Sequence, residues 1–153
     1  MKIIEIIVVF LLCFINHNVY KWFPNNFTLI FFPINESILE HMKIILVSSL
    51  EYSLFQYTFL AKSNVLYHNF WSSSILSAIL SIPIYLSLFL PLYFLLGHQF
   101  IITISLMLLV IIIIVKIKYL LMKKDESKYL TFISSLLLII LFIVFGYFSY
   151  NPI

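Results

Sequence analysis

Asn35, Glu36, Ser37, Glu40, His41 and Lys43 stand together in the stretch NESILEHMK, in a chain of 153 residues that is 63% hydrophobic and only 10% charged. Carboxylate and neutral imidazole are the donors that bind zinc and other divalent first-row metals. Two further imidazoles flank apolar segments: His17 in NHNVYKW and His98 in GHQ. His17, His41 and His98 with a carboxylate from Glu36 or Glu40 would hold a divalent metal such as Zn and leave a position for water. The other carboxylate would then take that water's proton as general base. The chemistry of such a set is metal-assisted hydrolysis, here of a lipid-like or membrane-embedded substrate. Glu40 and His41 point about 100° apart on a helix, so one ion takes both only if it lies between helices. No HExxH, paired cysteine, P-loop or Gly-x-Ser-x-Gly elbow accompanies the set.

The same residues have a plainer reading. Asn35 and Ser37 cap a helix, Glu36 sits in its first turn at the positive end of the dipole, and Lys43 pairs with Glu36 or Glu40. On a helix wheel Glu36, Glu40 and Lys43 fall within about 60° of one another, and Glu51 within about 20° of Glu40. Glu51 would lie deep in a bilayer, where an unpaired carboxylate costs at least ~2.5 kcal/mol. That stripe raises a second function, an ion relay through Glu51, Glu40 and Lys43 in a small transporter or transporter subunit. A third reading is a membrane scaffold with no active site, in which capping and packing explain the whole block.

These residues are positioned by long apolar segments. A mean hydropathy of +1.13 excludes an ordinary soluble domain. The pattern predicts an all-α, polytopic membrane bundle of about five transmembrane helices, over 3–20, 36–61, 70–96, 99–120 and 129–150, forming a single domain. Lys116, Lys118, Lys123, Lys124 and Lys128 crowd KIKYLLMKKDESK and place it in the cytoplasm, with the N-terminus on the same side. His17, His41 and His98 then share the outer face, while Lys21 and Lys43 dissent. The expected location is the cell membrane, multi-pass, with the first segment retained as a span. The lipid bilayer is the expected partner, joined by a homo-oligomer or a partner subunit. Nine lysines without any arginine give a net charge of +3 and no nucleic-acid-binding face. Cys13 is the single cysteine, so it forms no intramolecular disulfide. Ser73, Ser77 and Ser81, with Ser74 and Ala78, make a small-residue stripe suited to close helix approach, on a segment that Pro83 and Pro91 should kink.

His17, Tyr20 and Trp22 form a His-x-x-Tyr-x-Trp element. Asn35, Glu36, Ser37, Glu40, His41 and Lys43 form an Asn-Glu-Ser-x-x-Glu-His-x-Lys block. In both, the chain resembles an uncharacterised family of small prokaryotic multi-spanning membrane proteins, a domain of unknown function. Gly97-His98 and the ending Ser149-Tyr150-Asn151-Pro152 are similar to the family more weakly. Leu39 stands where members commonly carry Trp, and Ser48 close to a usual Pro. The resemblance implies that the polar block acts together and implies no activity.

Overall fold

A computed structural model describes residues 2–62, 69–97, 99–125 and 127–151. The described residues form helices and no strand: α1 (Lys2–Trp22), α2 (Asn26–Phe31), α3 (Ile38–Lys62), α4 (Phe70–Leu96), α5 (Phe100–Leu121) and α6 (Lys128–Tyr150). The long helices follow the apolar segments because a backbone in hydrocarbon must satisfy its own N–H and C=O groups. Proline and glycine set several of the ends. Pro24 follows α1. Phe32, at φ −120° and ψ 153°, takes the extended conformation that the following Pro33 imposes after α2. Gly97, at φ +69°, closes α4 in a region that L side chains rarely occupy. Pro83 and Pro91 lie inside α4, which runs as one helix from Phe70 to Leu96.

α1, α3, α4 and α5 form a ring in which α1 and α4 each pack against both α3 and α5. Its core holds Val9, Ile45, Leu46, Ala78, Tyr85, Val110 and Ile111. The serine stripe of α4 faces this core, with Ser73, Ser77, Ala78 and Ser81 all buried. α6 lies outside the ring against α4, and the short α2 lies on α6. An Asn25–Thr28 capping box starts α2. Gly146 lets α2 come close, since a Cβ there would stand 3.3 Å from the Ile30 side chain.

α1, α4, α5 and α6 are long and apolar enough to cross a membrane. α3, at 25 residues, has the length but is more polar. Its polar side chains Glu40, Lys43, Ser48, Ser53 and Gln56 are buried against neighbouring helices, which is why the central helix tolerates them.

Two lysines change meaning in the fold. Lys118 is not a loop residue: it lies in α5, buried, with its ammonium 2.7 Å from Glu5. Lys43, which dissented from the lysine count, is equally buried and ion-paired, so it carries no topological information. With those two set aside, Lys2, Lys116, Lys123, Lys124 and Lys128 still share one end of the bundle, where Lys2 Nζ stands 5.2 Å from the Tyr119 ring centroid.

Candidate functional site

The cluster forms at the opposite end, because α3 starts later than the periodicity suggests. The helix begins at Ile38. Ser37 Oγ accepts from Glu40 N (3.4 Å), and Asn35 Oδ1 accepts from Ser37 N (2.9 Å) in the turn before it. Glu36 therefore precedes the helix and does not share a stripe with Glu40 and Lys43. It reaches instead between α1 and α3, with Oε1 3.1 Å from His17 Nε2 and Oε2 3.6 Å from His41 Nε2. The two imidazole centroids are 6.0 Å apart. His41 Nδ1 lies 2.9 Å from the Ser37 carbonyl, an acceptor only, so Nδ1 carries the hydrogen. In neutral His41 the Nε2 lone pair then faces the Glu36 carboxylate, while His17 Nε2–H donates to its other oxygen. Two acceptors point at each other across 3.6 Å, a place that suits a donor hydrogen.

Glu40 belongs to a different assembly, which corrects its grouping with Glu36 and His41. Its carboxylate lies 2.7 Å from Lys43 Nζ and accepts from Ser149 Oγ (2.7 Å) and from Ile34 N (3.2 Å). Lys43 also donates to Ser149 Oγ (2.7 Å) and to the Leu29 and Phe32 carbonyls. Both charged side chains are almost wholly enclosed. Glu40 and Lys43 thus tie α2 and the end of α6 to α3, and Glu40 has no face open to a substrate.

Glu51 is separate again: Asn16 Nδ2 donates to it at 2.7 Å and to Ser48 Oγ at 2.9 Å. No hydrogen bond among the described residues joins Glu51 to Glu40 or Lys43. His98 lies outside the described residues. Among those described, no three His, Cys, Asp or Glu side chains are arranged to hold a metal ion.

The sequence reading missed the buried partnerships of Ser149, Glu5 and Lys118, among others. Lys118 spends all three ammonium hydrogens on Glu5, Ser53 and Gln56. Glu5 carried a signal, since a carboxylate four residues into an apolar span requires a partner. Which lysine, 113 positions away, sequence could not say.

Two cavities meet at the cluster. One, of about 240 Å³, lies between α1, α3 and α5; it is floored by Cys13, Ile44, Thr103 and Met107 and rimmed by Phe14 and Phe100. The other, of about 540 Å³, lies between α3 and α4 and is lined by Ile38, Leu39, Phe89 and Tyr93. Glu36 and His41 line both.

Fold and cluster together define a helical membrane bundle with a carboxylate–imidazole group at one end. The chain belongs to a family of unknown function, DUF6512, matched over residues 1–153. No curated protein and no solved structure matches the chain significantly.

Proposed function

We propose that the protein is a multi-pass cell-membrane protein whose His17–Glu36–His41 cluster, on the outer face, hydrolyses a membrane-embedded substrate. The N-terminus and the lysine-rich end are cytoplasmic in this reading, and α3 is the fifth span, carrying its polar groups inward. The observation that carries the proposal is the pair of facing acceptors, Glu36 Oε2 and His41 Nε2, held 3.6 Å apart at the mouth of two apolar cavities. A water placed there loses its proton to the pair and attacks an acyl or similar carbon, and the proton returns to the leaving group. Glu36 is the base, and His17 holds its second oxygen. A divalent ion would require His17, His41 and Glu36 to close on it, because as they stand they do not form a group that holds a metal. An ion relay is less favoured, because Glu51 and the Glu40–Lys43 pair belong to unconnected hydrogen-bond groups.

The test is incubation of purified protein with total membrane lipid in vesicles, followed by mass spectrometry of the products. Cleavage by the wild type that falls at least ~10²-fold in Glu36→Gln, the lower end of what a general base contributes, supports the proposal. Identical product profiles for the two proteins overturn it. A chelator arm separates the chemistries: persisting cleavage assigns acid–base catalysis, and its loss assigns a metal.

A further inference from the structure

We infer that the α1/α5 cavity binds a single hydrocarbon chain of a membrane amphiphile whose head group is a hydrogen-bond donor. The inference rests on the reading of His17, Glu36 and His41 as a functional site and names the ligand class that site would take. Its floor is buried between helices, from Cys13 on α1, Ile44 on α3, and Thr103 and Met107 on α5. Its rim is different. Phe14 is 41% exposed and Phe100 71% exposed, one on each side of the seam where α1 and α5 are ring neighbours. In a bilayer both rings face lipid, so the seam opens sideways into the acyl region and not only upward to water. A volume of about 240 Å³ is below the ~300–1,000 Å³ of sites that enclose a whole drug-sized ligand, so it suits one slim part of a larger molecule.

The polar residues gather at one end of this apolar space. His17, Asn18, Glu36 and His41 line it, and no lysine does. Glu36 brings a carboxylate and His41 a bare Nε2, so the head that complements them donates hydrogens, as hydroxyl or ammonium groups do, whereas an anionic head meets the carboxylate unpaired. Beyond Glu36 the α3/α4 cavity offers Phe89 and Tyr93 to the rest of the head. The bond presented to Glu36 is then the one between chain and head.

The experiment is photo-crosslinking in vesicles with a monoacylglycerol bearing a diazirine at the chain end, mapped by peptide mass spectrometry. Cross-links concentrated on α1 and α5 peptides holding Cys13, Phe14, Thr103 and Met107 are expected, with at least tenfold less on the lipid-facing α6. They should fall at least tenfold in Met107→Trp or Thr103→Phe, which fill the cavity, and persist in Ile139→Trp, an exposed position on α6 away from both cavities. A fatty-acid probe of the same chain length, with its carboxylate head, should label the cavity at least tenfold less. Cross-links spread evenly over every exposed helix face, α6 included, mean bulk lipid contact and overturn the inference; the wild-type map decides this even if a filling variant misfolds. The wild type alone separates the two claims. Chain labelling in the cavity with no cleavage sustains the chain site and overturns the hydrolase. Cleavage with no chain labelling does the reverse.

Discussion

At the scale of single residues, the chain gives two neighbouring carboxylates, Glu36 and Glu40, two different tasks. Glu36 is 60% exposed and held by imidazoles, so Glu36→Gln should change stability by no more than about 0.5 kcal/mol while removing activity. Thermal unfolding beside the lipid-cleavage assay checks both halves. Glu40 and Lys43 are enclosed, and removing one partner strands the other. Lys43→Met should cost about 3–5 kcal/mol, and Ser149→Ala about 1–3 kcal/mol through unsatisfied bonds to Glu40 and Lys43. Denaturant midpoints in detergent measure these losses, and a neutral Lys43→Met would contradict the geometry. The sequence made this polar block legible as a group, because so many hydrogen-bonding side chains in an apolar chain require partners. Their partition was not legible: a helix wheel assigns Glu36 to the stripe of Glu40 only if the helix already includes it. Ser37 capping moved the start two residues on, and that freed Glu36 to turn to the other side.

At the scale of elements, α2 was invisible in the hydropathy because six residues are too few to show a period. Its signals were local: Asn25 three residues before Thr28, then Pro33. The structure seats it on α6 through Ile30 against Gly146 and through Phe31 against Phe142, with ring centroids 4.7 Å apart. Gly146→Val should force α2 away from α6 and lower stability by about 1–3 kcal/mol, the usual cost of overpacking. Ile30→Ala in the same chain should restore part of the loss, as a double-mutant cycle would read. No recovery in that cycle would mean that the two residues do not touch. The long helices, by contrast, lie within two residues of the boundaries expected from composition. Hydrocarbon thickness and backbone hydrogen bonding leave little freedom there.

At the scale of the whole molecule, the ion pairs among the described residues divide between two ends. Glu5 and Lys118 join α1 to α5 near the lysine-rich end, and the Glu36 and Glu40 groups stand at the other. Lys118→Met alone should destabilise by about 3–5 kcal/mol, and Glu5→Met/Lys118→Met should recover most of it, because a buried pair removed together leaves no stranded charge. Equal losses in the single and double variants would contradict that pairing. The lysine count marked one end of the bundle, which Lys2, Lys116, Lys123, Lys124 and Lys128 share, even though Lys43 and Lys118 are structural. Such residues look alike in sequence, since burial depends on partners that are remote along the chain.

The central claim is that Glu36 leaves the helix to stand between His17 and His41. Nitrogen-15 NMR of the imidazoles in membranes, in wild type and Glu36→Gln, tests it most directly. His41 should show the Nδ1–H tautomer when neutral, with Nε2 bare, and both imidazoles should shift when Glu36 is replaced. An Nε2–H tautomer at His41, or spectra indifferent to Glu36, would contradict the site.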